Sequence, residues 1–134
     1  MALFDWSENY GVHRPEIDGQ HKRRFALAHK LHVAAVTGQG QEVLSKLLAD
    51  FIAYTEGHFA SEERLMLAKG YPAFVAHKIQ HETIVDDLVD LQRKFELGRA
   101  NLTLEVLQHL KTWLTEHIAG ADQQMGAFLE EKRS

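Results

Sequence analysis

Histidine is the residue type in this sequence that points most clearly to chemistry. There are nine histidines in 134 residues, and there is no cysteine. His77 and His81 are four residues apart, as are His58 and Glu62, so on a helix each pair would lie on one face. Imidazole together with carboxylate binds iron, zinc, manganese or copper. These pairs therefore predict a metal site, provided that the segments around them are helical.

Helical periodicity runs through nearly the whole sequence. Apolar residues recur at spacings of three and four in four segments, and strand-like alternation is absent over any useful length. Glycine and proline fall mostly between these segments, where they end or begin helices. The pattern predicts an irregular N-terminal arm, four helices and a short final stretch, which are residues 1–17, about 18–37, 41–68, 72–97 and 103–118, and 121–132.

The loops between the four helices are predicted to be short, which favours antiparallel neighbours. We therefore predict an all-α fold, an antiparallel up-down-up-down four-helix bundle, formed by a single domain over residues 1–134. Asp18 and Thr103 are expected to cap the first and fourth helices, and Pro72 is expected to begin the third.

Several histidines occupy positions on the apolar stripes where leucine would be expected. His77 and His81, for example, share a face with Phe74 and Leu88. Burying imidazoles and carboxylates without partners is unfavourable, whereas a bound metal uses both as ligands. The predicted ligand set is His21, His58, Glu62, His77, His81, His117 and Asp122.

Seven protein ligands are too many for one ion, but they suit two ions that share both carboxylates. The absence of thiolates and of a His-Glu-x-x-His run argues against the usual zinc sites. Nor is there any Glu-x-x-His, which the ferritin-like di-iron arrangement needs on two helices. A histidine-rich dinuclear site remains as the prediction.

Asp122 is the member of this set that spacing alone supports least. It lies five residues beyond His117, about 140° away on an ideal helix, so the two would not share a face. A π-type turn, or a break in the helix at Gly120, would place Asp122 on the same face as His117. The alternative is a solvated residue near the C-terminus.

Composition and charge narrow the class of protein. The formal net charge of -4 argues against a nucleic-acid partner. No apolar run approaches the roughly 18 to 20 residues that a transmembrane helix needs, and the first ten residues lack the layout of a signal peptide. We therefore expect a cytoplasmic protein.

The motifs around the candidate ligands resemble those of the hemerythrins, in particular the bacterial single-domain ones. The resemblance covers nearly the whole chain and includes Trp6 in the N-terminal arm. The matching runs are Ile17-Asp18-Gly19-Gln20-His21, His58-Phe59-Ala60-Ser61-Glu62-Glu63, Gly70-Tyr71-Pro72, His77 to His81, and Trp113-Leu114-Thr115-Glu116-His117-Ile118 followed by Asp122.

This resemblance implies a particular division of the ligands between two iron ions. Glu62 and Asp122 would bridge the ions together with an oxo or hydroxo group. One iron would be held by three imidazoles and the other by two, which are His77, His81 and His117 for the first and His21 and His58 for the second.

The resemblance also implies an oxygen pocket formed by Trp113, Leu114 and Ile118. Two positions differ from the family. His29 stands where the family often has asparagine, and Thr83 and Ile84 stand soon after His81, where the third helix of the family has an aromatic residue. Both differences affect the shape of the pocket and not the binding of metal. We expect the remaining histidines to lie outside the ligand set: His13, His29, His32 and His109.

The function that the resemblance implies is reversible binding of molecular oxygen, for storage or for delivery to oxygen-requiring enzymes. We expect the protein to be a monomer and not to be an enzyme. One alternative is a sensor of oxygen, redox state or iron, although no signalling module is present in these residues. Another is a di-iron peroxidase or nitric oxide reductase. Two carboxylates, rather than four, stabilise high-valent iron poorly and disfavour oxygenase chemistry.

Overall fold

The computed structural model describes residues 15–98 and 104–131, and these form helices joined by short turns. Four long helices and one short one account for them, with no strand among the described residues. The all-α prediction is therefore confirmed. The helices are α1 (Pro15–Val36), α2 (Gln41–Lys69), α3 (Phe74–Glu96), α4 (Leu104–His117) and α5 (Gln123–Glu131), with a π-helical turn, Ile118–Asp122, between the last two.

The four long helices pack as the predicted up-down-up-down bundle. Helix α2 packs against both α1 and α3, and α1 also contacts α4. The connections between α1 and α2 and between α2 and α3 are each four residues long, so each helix runs back along the one before it. None of the helices that the structure describes combines the length and the apolarity needed to span a bilayer.

Two apolar clusters fill the interior of the bundle. The large cluster contains twelve buried residues, and the small cluster contains four, Ile17, Met66, Met125 and Leu129. The large cluster is made of Phe25, Leu27, Ala28, Leu31, Leu48, Phe51, Ile52, Leu88, Phe95, Leu107, Leu110 and Leu114.

The candidate ligands separate these two clusters. Along α1, His21 lies between Ile17 of the small cluster and Phe25 of the large one. Helix α2 repeats this order in reverse, because Ile52 belongs to the large cluster, Met66 belongs to the small one, and the ligand pair lies between them. The core is therefore two apolar regions with a polar layer across the middle.

Two predicted helix starts were wrong. Helix α1 already includes Pro15, so Asp18 lies within its first turns and does not cap it. Proline is well suited to the first turn of a helix because its φ angle is fixed and its missing N–H would have no partner there. The cap predicted at Thr103 and the arm before Pro15 lie outside the described residues.

Helix α3 begins at Phe74, two residues after Pro72. Residues 70–73, between α2 and α3, form the cap of α2 and a turn. The Gly70 N–H donates to Leu67 O (3.2 Å), the Tyr71 N–H to Met66 O (2.9 Å) and the Phe74 N–H to Tyr71 O (3.2 Å). Pro72 therefore lies in the turn and not in the helix.

Gly70 and Gly57 make a matched pair for testing this helix end. Gly70 has a φ of +67°, whereas Gly57 lies inside α2, and neither has an atom within 4 Å of an added Cβ. We expect Gly70→Ala to lower the free energy of unfolding by about 1 kcal/mol, because the left-handed conformation is strained for alanine, and Gly57→Ala to raise it by about 0.5–1 kcal/mol. Urea denaturation of both variants measures this. A Gly70→Ala protein as stable as the wild type would contradict the assigned helix end.

Candidate metal centre

Seven polar side chains from every long helix and from the π-helical turn converge between the two apolar clusters. Each is at most 5% exposed. Their donor atoms form two groups, within each of which the atoms lie within 4.8 Å of one another, and both groups contain the same two carboxylates. The first group is Glu62, His77, His81, His117 and Asp122, and the second is His21, His58, Glu62 and Asp122.

The π-helical turn explains how Asp122 joins the others. A π-helical turn holds an extra residue compared with an α-helical one, so a residue five positions on returns to the same side of the helix. Here the turn spans Ile118–Asp122, and Asp122 Oδ1 lies 3.0 Å from His117 Nε2. Asp122 is fully buried; the alternative of a solvated residue is excluded.

The two oxygens of Asp122 face different imidazoles. Its Oδ1 lies 2.9 Å from His77 Nε2 and 3.0 Å from His117 Nε2. Its Oδ2 lies 3.1 Å from His21 Nε2. The carboxylate therefore divides its oxygens between the first group of imidazoles and the second.

Glu62 is divided in the same way. Its Oε1 lies 3.1 Å from His81 Nε2 and 3.6 Å from His77 Nε2. Its Oε2 lies 3.0 Å from His58 Nε2 and 3.2 Å from His21 Nε2. Both carboxylates thus span the two groups, as bridging ligands do.

Most of these short contacts are not hydrogen bonds. Asp122 Oδ1 and Oδ2, Glu62 Oε1, and the Nε2 atoms of His58 and His77 are all buried, yet none has a hydrogen-bond partner. In addition, His81 Nε2 and His117 Nε2 lie 3.0 Å apart, although two imidazole nitrogens share at most one proton. Buried polar atoms are normally paired. Donor atoms that point to shared centres and not to each other fit a metal-binding arrangement.

The outward-facing ring nitrogens of three imidazoles have acceptors of their own. The Nδ1–H of His58 donates to Gln20 Oε1 (2.6 Å), that of His81 to Glu63 Oε2 (3.0 Å) and that of His117 to Gln80 Oε1 (3.1 Å). Such bonds fix the ring tautomer and leave Nε2 free to act as a ligand. These three acceptors were not predicted from the sequence.

Electrostatics hold the two carboxylates in their charged forms. Burial and the nearby charge of Glu62 would raise the pKa of Asp122, but the imidazoles of His117 and His21 outweigh both effects, so this pKa lies far below its usual value. Burial likewise opposes ionisation of Glu62, and contacts with four histidines still lower its pKa well below 4.5. Charged carboxylates are the form that binds metal.

The imidazoles differ from one another in basicity. Burial lowers the pKa of His58 to about 4, despite its contact with Glu62. Burial also opposes protonation of His77, but the contacts with Asp122 and Glu62 outweigh it and raise the pKa to about 9. The surroundings therefore favour the neutral form of His58 and, while no cation is bound, the protonated form of His77.

The residues predicted to form an oxygen pocket lie at different depths. Leu114 belongs to the large cluster and is 2% exposed, whereas Trp113 is half-buried against the edge of that cluster. The Trp113 ring lies 4.5 Å from that of His109. The side chain of Ile118 lies outside the described part of the structure.

None of the other described histidines belongs to either donor group. His109 is exposed, and His29 and His32 are half-buried on α1. His13 lies outside the described residues. Two side chains next to the ligands, Phe59 and Arg24, were not predicted from the sequence. The Phe59 ring stacks on the His81 ring with centroids 3.7 Å apart, and Arg24 is 1% exposed. The spacing of three between His21 and Arg24 was the available signal for the arginine.

Known proteins are similar to this chain in sequence. The family model described as the hemerythrin HHE cation binding domain matches residues 13–129. The bacteriohemerythrin of Methylococcus capsulatus (strain Bath) is 38% identical over 130 residues, which cover 96% of this chain and 98% of that protein. The bacteriohemerythrin of Stenotrophomonas maltophilia is 34% identical over 123 residues, 92% of this chain and 79% of that protein.

Solved structures agree with these relatives. Wild-type hemerythrin aligns with a TM-score of 0.88 at 36% identity, over 93% of this chain and 96% of that one. A hemerythrin variant in which alanine replaces a leucine aligns with a TM-score of 0.90 at 37% identity, over 96% of this chain and 98% of that one. The resemblance inferred from the motifs is confirmed: this chain belongs to the hemerythrin family.

Proposed function

We propose that this protein binds molecular oxygen reversibly at a centre of two iron ions, for storage or for delivery to oxygen-consuming enzymes. Membership of the hemerythrin family supports a di-iron oxygen-binding role. The observation that carries the proposal is the division of both carboxylates between two groups of imidazoles. A site for one ion would not need this division.

The residues fit two ions with unequal numbers of ligands. His77, His81 and His117 would hold one iron, and His21 and His58 would hold the other. Glu62 and Asp122 would bridge them. The group with two imidazoles supplies one ligand fewer, so an exogenous ligand has a position to occupy there.

Iron would supply the electrons for reversible oxygen binding, and the protein would supply the environment. The large cluster on one side and the small cluster on the other exclude water from the polar layer. Phe59, stacked on His81, adds an apolar wall within that layer. Exclusion of water limits the supply of protons, and a limited supply of protons favours release of oxygen as O2 over its protonation and loss in reduced form.

We infer a binding function and not an enzymatic one from the ligand set, because only two carboxylates are present among the seven candidate ligands. The oxygen-consuming recipient, the monomeric state and the cytoplasmic location stay predictions.

Iron content and reversible oxygen binding test the proposal directly. We expect the reconstituted protein to hold two irons per chain and to change its absorption spectrum on aeration, with recovery on deoxygenation. His58→Ala removes one of the two imidazoles of the second group and should leave at most one iron and abolish the spectral change. His109→Ala, at an exposed histidine, is the matched control and should keep both properties. One iron or none in the wild type would refute the proposal.

The low carboxylate pKa values predict how the metal-free protein responds to acid. Since the pKa of Glu62 is lowered below 4.5 on folding, the unfolded chain binds more protons below that pH. The stabilisation is therefore complete above pH 4.5 and is lost as the pH falls further. Urea denaturation across this range should show a shallower pH dependence for Glu62→Gln than for the wild type. Glu96→Gln, at an exposed carboxylate, should follow the wild type.

Leu114 is expected to protect bound oxygen from water. It lies three residues before His117 in the large cluster, so Leu114→Ala should open space beside the centre and speed autoxidation several-fold. Leu110→Ala creates a comparable cavity one turn further away in α4 and controls for the loss of stability, about 2–5 kcal/mol for either change. Decay of the oxygenated spectrum measures both. Equal lifetimes for the two variants would remove Leu114 from the proposed pocket.

A further inference from the structure

The hydrogen-bond acceptors on the outer side of the imidazoles differ in charge. His81, of the group with three imidazoles, donates its Nδ1–H to a carboxylate oxygen of Glu63 at 3.0 Å. His58, of the group with two, donates to the neutral amide oxygen of Gln20 at 2.6 Å. The third acceptor, Gln80, is again an amide. The one carboxylate among these three acceptors therefore serves the group with three imidazoles.

The surface groove beside Glu63 is acidic as well. It has a volume of about 280 Å³, His81 forms part of its wall, and no lysine or arginine of the described residues lines it. Its four carboxylates are Glu56, Glu63, Glu82 and Asp86. The cavity beside Gln20 differs, because Arg64 lines it together with the ligand Glu62. Negative charge outside the ligand set is therefore concentrated on the side of the three imidazoles.

The His81 ring is held in place by more than its bond to Glu63. The Phe59 ring stacks on it with centroids 3.7 Å apart and an angle of 3° between the planes. The whole residue is 1% exposed. Glu63→Gln keeps an acceptor oxygen in a side chain of nearly the same shape, so it removes the charge and leaves the ring in place. The charge of Glu63 can therefore be separated from its structural role.

We propose that Glu63 is a positioning residue that, through its hydrogen bond from His81, stabilises iron(III) at the group with three imidazoles. This inference rests on the proposed function, because it concerns an iron that this group would hold. A carboxylate acceptor makes an imidazole a stronger electron donor than an amide does, and hydrogen bonds around a metal site help to set its reduction potential. The proton stays on His81 Nδ1, so the oxidation is the loss of one electron from iron(II) and nothing else.

The two irons then differ in more than their number of ligands. The iron held by three imidazoles loses its electron more readily than the iron held by two. Since bound oxygen takes up electrons from iron, an acceptor that stabilises iron(III) also favours the retention of oxygen. Glu63 thus acts on the reaction through His81, without contact with the oxygen itself.

Potentiometric titration of the iron-loaded protein without oxygen tests the role of Glu63, with ferricyanide as the one-electron oxidant. We expect Glu63→Gln to raise the potential of the first oxidation by about 59 mV, which is a tenfold shift in a one-electron equilibrium. Gln80→Glu gives a second imidazole of the same group a carboxylate acceptor, so it should lower this potential by a similar amount. A merely structural role for these acceptors would not produce shifts of opposite sign.

Two further variants serve as matched controls. Glu82→Gln removes a charge from the same groove, but within the described residues no hydrogen bond joins Glu82 to a candidate ligand. Gln20→Glu places a carboxylate on the group with two imidazoles. Each should shift the equilibrium of the first oxidation by less than about threefold, because exposed charges are screened and the other iron is oxidised later.

The outcomes separate this inference from the proposed function. An unchanged potential in Glu63→Gln, with two irons retained, would overturn the role of Glu63 and leave the proposed function standing. If Glu63→Gln fails to hold two irons, Gln80→Glu decides, and a potential that is not lowered overturns the inference. A shift in Gln20→Glu as large as that in Gln80→Glu would overturn it too. A wild-type chain that holds no iron would instead overturn the proposed function, and this inference with it.

Discussion

The interaction on which the rest of the structure depends is the close approach of buried carboxylates and imidazoles across the middle of the bundle. Two carboxylates enclosed among helices would unfold a small domain if they were left alone. Five imidazoles surround them, and each carboxylate oxygen lies within 3.2 Å of at least one ring nitrogen. These contacts already keep Glu62 and Asp122 charged. The same contacts leave lone pairs without donors, and a cation would satisfy them fully.

Most of the fold and six of the seven candidate ligands could be predicted from helical periodicity, whereas Asp122 depended on the resemblance to the hemerythrins. A spacing of four decides which face a residue shares, and it placed His77 with His81 and His58 with Glu62. Helix starts were less predictable. Pro15 begins α1 earlier than Asp18 suggested, and Pro72 belongs to a turn, because in each case neighbouring residues were equally compatible with a helix start.

Contacts between side chains of different helices could not be predicted from sequence patterns. Gln20 and Glu63 lie beside ligands in the sequence, yet Glu63 accepts a hydrogen bond from His81 of another helix. Asp122 joins the ligands through a backbone irregularity that spacing could only offer as one option. Arg24 had the right spacing but the wrong chemistry for a core position.

The π-helical turn joins two ordinary helices whose inner faces are offset by one residue. Before it, the buried stripe runs through Leu110, Leu114 and His117; after it, the stripe resumes at Asp122 and continues to Met125 and Leu129. The five-residue step between His117 and Asp122 is the only place where this stripe departs from spacings of three and four. Wound as a regular α-helix, the same residues would rotate everything downstream by about 100°, so the acid and the apolar residues behind it would leave the interior together. The π-helical turn therefore sets the position of Asp122 and the inward face of α5 at the same time.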